Sequence, residues 1–231
     1  MHRGLAMGTV RSSTFRSAKA SMSFTDRDVD YLDQVHAPVD AVLAEMLAAG
    51  RKEGIPIVSP ASGRLLRVLV LALAPKRVLE IGTAIGFSTL WMASALPAGG
   101  RIDTIDPDRA RTDRARRYWL RAGVTDRVRV TNEPALRVIP RLAPGIEFAF
   151  IDALKPEYTA YLEALLPKMA PGGVITVDNV LWSGRIAAGE HDEDTDALRA
   201  FDQRFLHEEQ LEATIVPVGD GLGIGVVRPH A

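Results

Sequence analysis

From Arg77 to Arg228, short apolar runs alternate with amphipathic stretches of helical period, and this alternation restricts the possible fold more than any other feature of the chain. The apolar runs are residues 77–81, 101–106, 128–131, 148–152, 173–178, 213–217 and 224–228. Helical stretches lie between most of them, near 87–96, 108–122, 135–142, 157–170 and 195–208. Strands separated by crossover helices build a parallel sheet covered on both faces, with right-handed connections. The expected class is therefore α/β: a Rossmann-like, seven-stranded, mostly parallel sheet with helices on both faces. Gly219-Asp220-Gly221 joins the last two strands closely enough for a hairpin, so the C-terminal edge should be antiparallel.

Upstream, Val29, Leu32, Val35, Val39, Val42, Leu43 and Met46 recur at three- and four-residue spacings, which predicts one helix from Asp26 that Gly54 and Pro56 end. Ser59-Pro60 opens a second, running through Leu65, Leu66 and Leu69 to Pro75. There is no internal repeat, so residues 26–231 are expected to form a single domain. Residues 1–25 hold Arg3, Arg11, Arg16 and Lys19 and no acid; the expectation is a disordered extension or an over-long start before Met7 or Met22, with a transit peptide as the alternative.

At 47% hydrophobic and 25% charged, the 231 residues can bury a normal core. A formal charge of −1 argues against a strongly electrostatic nucleic-acid binder. The absence of cysteine excludes disulfides, thiolate zinc sites and cysteine nucleophiles, and suits a reducing cytoplasm, the expected location. No apolar run reaches the ~18 residues of a membrane span.

Val78-Leu79-Glu80-Ile81-Gly82-Thr83-Ala84-Ile85-Gly86-Phe87-Ser88 reads as a strand ending in a carboxylate, a glycine turn and a helix start. Gly82 and Gly86 tolerate positive φ and let a ligand approach the backbone, and the helix N-terminus favours an anionic group. Their spacing is not that of the dinucleotide fingerprint. Ligands of open parallel sheets bind beyond the carboxyl ends of the strands, where Asp106, Asp108, Asp152, Asp178 and Asn179 stand. Some of these acids could simply cap helices.

Asp106, 24 residues after Gly82, suits the hydroxyls of a ribose. Asp152, Asp178 and Asn179 offer three oxygens suited to a hard cation such as Mg²⁺, Mn²⁺ or Ca²⁺. Zinc is disfavoured because the histidines are scattered. Lys155, near such a cation, could act as a base; alone it would read as a loop lysine. Trp182 is either a flat wall for an aromatic substrate or plain packing. No nucleophile elbow or Walker loop is present.

With Phe150-Ile151-Asp152-Ala153-Leu154-Lys155-Pro156-Glu157-Tyr158, Val177-Asp178-Asn179-Val180-Leu181-Trp182-Ser183-Gly184 and Gly219-Asp220-Gly221-Leu222, residues 78–88 resemble the cation-dependent class I O-methyltransferases, the bacterial branch of the caffeoyl-CoA and catechol enzymes. The likeness runs in unbroken motif order over residues 28–228. It implies S-adenosylmethionine over the glycine turn, its amino-acid end held by Glu80, Gly82 and Ser88, its ribose by Asp106 and its adenine near Pro134 and Ala135. The same resemblance counts Asp152 among the cofactor-binding residues as well. The resemblance further implies a divalent cation on Asp152, Asp178 and Asn179, Lys155 as general base, an aromatic diol as substrate, and a homodimer.

Leu154 replaces the second acid of many relatives, Gly223 a glutamate of the mammalian enzymes, and Glu133 a common glycine. The first departure puts CoA-ester acceptors in doubt, and the second implies that the second catechol hydroxyl is held differently. Two other functions fit the same residues: tRNA 5-hydroxyuridine methylation, with the arginines of residues 109–121 as a phosphate-binding face, and a non-catalytic cofactor-binding protein. The arginine cluster reads more simply as a solvated helix face.

Overall fold

The structure, a computed structural model, describes residues 25–229. The expectations for residues 1–24 lie outside them. The chain divides after Pro38 into two compact units. Of the first, helix α1 (Asp26–Val35) is described; it carries exposed Val29, Leu32 and Val35.

The single long helix predicted from Asp26 is in fact two, a correction with a clear cause. Pro38 has no N–H to donate and disfavours helical backbone at Ala37, so the chain leaves the helix at His36 although the apolar spacing runs on. Helix α2 (Ala41–Glu53) restarts behind Asp40, whose side chain accepts from the Val42 N–H. Ser59 caps α3 (Pro60–Leu73) in the same way, with Pro60 in its first turn.

The larger unit, from Val39 onward, carries one seven-stranded sheet. Its elements continue as β1 (Arg77–Ile81), α4 (Phe87–Ala93), β2 (Arg101–Ile105), α5 (Arg109–Arg121), β3 (Val128–Thr131), α6 (Ala135–Val138), β4 (Ile146–Ile151), α7 (Tyr158–Leu165), β5 (Met169–Asp178), α8 (Glu193–Leu206), β6 (Leu211–Val216) and β7 (Leu222–Val227). Strand order is β3-β2-β1-β4-β5-β7-β6, with β7 antiparallel to both neighbours and the other pairings parallel. The fold class read from the sequence is the one observed. Strand β5 begins earlier than residue 173: Met169 pairs with Ile146, the chain bulges through Pro171 and Gly172, and the regular ladder resumes at Val174.

Alternate side chains of the strands feed two cores. Val78, Ile102, Phe148 and Phe150 pack with Met46, Leu66, Leu90 and Trp119 of α2 to α5. Leu79, Ile81, Ile151 and Ile175 pack with Leu162, Leu165, Leu198 and Phe201 of α7 and α8. Each such side chain, fully buried, contributes roughly 1.5–3 kcal/mol. This two-sided burial fixes the strand ends in one row, and the order reverses between β1 and β4. Among the described residues no helix is long and apolar enough to cross a membrane.

Candidate active site

A cleft of about 720 Å³ opens along the carboxyl ends of β1, β2, β4 and β5. Gly82, Ser88, Asp106, Pro134, Ala135, Asp152, Lys155, Asp178, Asn179 and Trp182 all line it. Glu80 does not.

Glu80 faces the α2–α5 layer, opposite Thr104 in the β1–β2 register, and is fully buried. Its carboxylate accepts from Ser88 Oγ at 2.6 Å, Thr89 Oγ1 at 2.5 Å and Thr104 Oγ1 at 2.6 Å. Burial pushes its pKa up to about 7 against the pull of those three hydroxyls. Its contribution is to clamp the start of α4 to the sheet.

The glycine turn is shaped by the protein itself. A Cβ on Gly82, at φ +97°, would lie 1.8 Å from the Asp152 carbonyl oxygen, and one on Gly86, at φ +82°, would lie 2.5 Å from the Trp119 ring. Trp119 Nε1 donates to the Gly86 carbonyl at 3.0 Å. Both positions are therefore glycine because other parts of the chain come close, where the sequence suggested a ligand would. The turn amides are spent internally as well. Gly82 N–H donates to the Ile105 carbonyl, and the Thr83 and Ala84 N–H groups donate to Asp106 Oδ2 at 3.0 and 2.8 Å.

Asp106 thereby holds the turn in shape. Its Oδ1 accepts one N–H, from Asp108 at 2.8 Å, and retains capacity for a ligand hydroxyl. Asp108 caps α5 by accepting from the Arg111 N–H, the bland alternative read from the sequence. Pro134 and Ala135 stand at the start of α6, where Glu133 pairs with Arg141 at 2.7 Å.

Farther along the cleft, Asp152, Asp178 and Asn179 come together around Lys155. The ammonium donates to Asp152 Oδ1 at 3.0 Å, Asn179 Oδ1 at 2.6 Å and the Tyr158 hydroxyl at 2.7 Å. Tyr158, fully buried, donates in turn to the Asp178 carbonyl at 3.2 Å. Asp178 is 3% exposed, and burial, then the nearby Asp152 charge, pushes its carboxyl up to about 8 against the pull of Lys155. Its Oδ1 is buried with no hydrogen-bond partner.

An orphaned carboxylate oxygen is costly to bury, and a cation is the ligand that relieves it. Two carboxylates and one amide oxygen also match the hard-donor chemistry of Mg²⁺, Mn²⁺ or Ca²⁺, so these residues fit such an ion. Among the described residues no three His, Cys, Asp or Glu side chains form a metal cluster; the third donor here is an asparagine.

Trp182 lines the cleft and also packs against the α7–α8 core. Lys155 Nζ sits 5.7 Å from its ring centroid, and its indole N–H is buried without a partner. Leu154 forms an apolar rim, 63% exposed. A Cβ on Gly223 would point at Phe205, into the core. The sequence reading missed Tyr158, although it stands one helical turn after Lys155, and missed Asp220, which bonds Asn179.

The arginines of α5 are largely paired: Arg109 and Arg116 with Asp113, Arg111 with Asp108, Arg114 with Glu53, and Arg121 with Glu45.

Comparison with known proteins gives the chain's family. A family profile described as O-methyltransferase covers residues 36–228. Catechol O-methyltransferase of Mycobacterium tuberculosis is 39% identical over 210 residues, 87% of this chain and 96% of its own. The crystal structure of an O-methyltransferase from Bacillus cereus in complex with SAH matches with a TM-score of 0.78 at 33% identity, over 86% of this chain and 96% of that one. An O-methyltransferase of Streptomyces achromogenes involved in tomaymycin synthesis, solved with SAM, matches at 0.79 and 30%, over 88% and 96%. The profile spans most of the chain and a relative 39% identical covers 87% of it, so this chain is a member of the O-methyltransferase family.

Proposed function

We propose that this enzyme moves a methyl group from S-adenosylmethionine to one hydroxyl of a catechol-type small molecule, with a divalent cation, Mg²⁺ foremost, holding the acceptor. The observation that carries the reading is the meeting of Asp152, Asp178 and Asn179 around Lys155, with the Asp178 Oδ1 unpartnered, in the same cleft as the glycine turn. Relatives solved with SAH and with SAM support the cofactor, and a catechol O-methyltransferase among the relatives supports the acceptor.

In this reading Gly82 and Ser88 flank the amino-acid end of the cofactor, with Glu80 holding Ser88 from behind. Asp106 takes the ribose through Oδ1, and Pro134 and Ala135 flank the adenine. Asp152 serves both ends of the cleft, because its backbone abuts Gly82 and its side chain meets Lys155. When bound, the cofactor supplies an activated methyl group and the cation, on Asp152, Asp178 and Asn179, supplies Lewis acidity toward the acceptor oxygens. Trp182 gives the aromatic ring a flat wall. Lys155, once it has given up a proton and stands as the neutral amine beside Tyr158, takes the acceptor hydroxyl proton and returns to the ammonium form. A positioned base contributes typically ~10²–10⁴-fold, and alignment of nucleophile with methyl carbon up to ~7–11 kcal/mol in ideal cases.

Five of the six arginines of α5 pair with acids, which lowers the charge of that face and favours a small acceptor over tRNA. Labelled methyl transfer to a panel of catechols and to unmodified tRNA separates the two. Label on a catechol is the expected result; label on tRNA alone overturns the acceptor assignment.

A further inference from the structure

Just beyond β5 the backbone enters the left-handed region at three non-glycine residues. Asn179, Trp182 and Ser183 sit at φ of 65°, 48° and 52°, the left-handed region that non-glycine residues avoid. Such a run persists only where its surroundings over-determine it. Here the surroundings are the Gly219-Asp220-Gly221 hairpin turn between β6 and β7. The Leu181 N–H donates to the Asp220 carbonyl at 3.0 Å and the Val180 N–H to the Gly221 carbonyl at 3.3 Å. The Ser183 N–H donates to Asp220 Oδ1, and Asn179 Nδ2 donates to Asp220 Oδ2 at 3.4 Å. Gly221 is held to glycine by this approach, since a Cβ there would lie 2.8 Å from the Leu181 nitrogen.

We propose that Asp220 is a positioning residue for this site: its carboxylate sets which way the Asn179 amide faces and pins the Trp182–Ser183 turn. The inference rests on the cation reading given under Proposed function. A carboxylate accepts and does not donate, so it draws the NH₂ of Asn179 toward itself and turns the amide oxygen toward Asp152 and Lys155. The Lys155 ammonium, which only donates, enforces the same choice from the other side. Asp220 itself does not line the cleft, so it acts through Asn179 and Trp182. An outer partner of this kind orients a ligand and raises its basicity, and its loss typically costs ~10–100-fold in metal affinity.

The test is Mn²⁺ binding to wild-type, Asp220→Ala and Asp220→Asn proteins, followed by electron paramagnetic resonance, with Tm and the Kd for S-adenosylmethionine measured in parallel. Asp220→Ala should weaken Mn²⁺ by about 10–100-fold while the cofactor Kd stays within a few-fold. Asp220→Asn keeps an oxygen for the Ser183 N–H but no longer dictates the amide direction, so it should fall between wild type and Ala and covers the case in which the alanine variant does not fold. Variants that bind Mn²⁺ within twofold of wild type overturn the positioning role and leave the cation reading standing. Equal losses of Mn²⁺ and cofactor in both variants also overturn it, marking a general structural defect. A wild-type protein that takes up no Mn²⁺ overturns the cation reading itself, and this inference with it.

Discussion

The Lys155 ammonium donates to the Asn179 amide oxygen across 2.6 Å, and so ties the turn after β4 to the end of β5. The same nitrogen is shared with Asp152 and Tyr158, at 3.0 and 2.7 Å. A lysine that lines the cleft can serve as a base for a group placed there once it is the neutral amine, and the three side chains around it fix its position. Lys155→Met should lower kcat by about 10²–10⁴-fold and leave the cofactor Kd within a few-fold. Steady-state kinetics with isothermal titration check this; an unchanged kcat would remove Lys155 from the chemistry.

Asp178→Ala deletes the unpartnered buried oxygen. Divalent-cation affinity should fall by more than the ~10–100-fold expected for an outer-shell partner, with cofactor binding within a few-fold. Calorimetric titration with Mn²⁺ and with S-adenosylmethionine reads both. Equal loss of the two would contradict the ligand role.

Gly82→Ala puts a methyl group onto the Asp152 carbonyl and forces a non-glycine residue to φ +97°. The variant should lose ~2 kcal/mol or more of stability, and cofactor affinity with it, because the turn and Asp152 must separate. Chemical denaturation measures the first and titration the second.

Asp202 of α8 is 9% exposed with Oδ1 unpartnered, and burial pushes its pKa up to about 7. The folded state then binds this proton more tightly than the unfolded chain does. Stability carried by the protonated form is fully present below the unfolded value near ~4 and is lost as pH rises through about 7. Asp202→Asn should therefore raise Tm at pH 8 relative to wild type and narrow the difference at pH 4. A Tm difference independent of pH would contradict the assignment.

Strand identity and sheet class were legible because strands buried on both faces leave near-continuous apolar runs, and the acids that end them mark the cleft. What escaped the sequence was what each residue touches. The apolar period ran through Pro38 and hid a helix break that Pro38 itself announced. Gly82 and Gly86 showed that something comes close, but only the fold shows it to be Asp152 and Trp119. The resemblance implied Glu80 at the cofactor's amino-acid end; the register opposite Thr104 gives its carboxylate Ser88, Thr89 and Thr104 as partners, contacts that only the fold shows. Asp220 lies 41 residues from Asn179, and the antiparallel pairing of β5 with β7 brings them together.

The central claim is methyl transfer that depends on a divalent cation. It is tested most directly by the initial rate of labelled methyl transfer from S-adenosylmethionine to catechol, measured in EDTA and then with Mg²⁺ restored. The expected rate is near background in EDTA and recovers saturably with Mg²⁺. Full transfer in EDTA, undiminished by chelation, would contradict it.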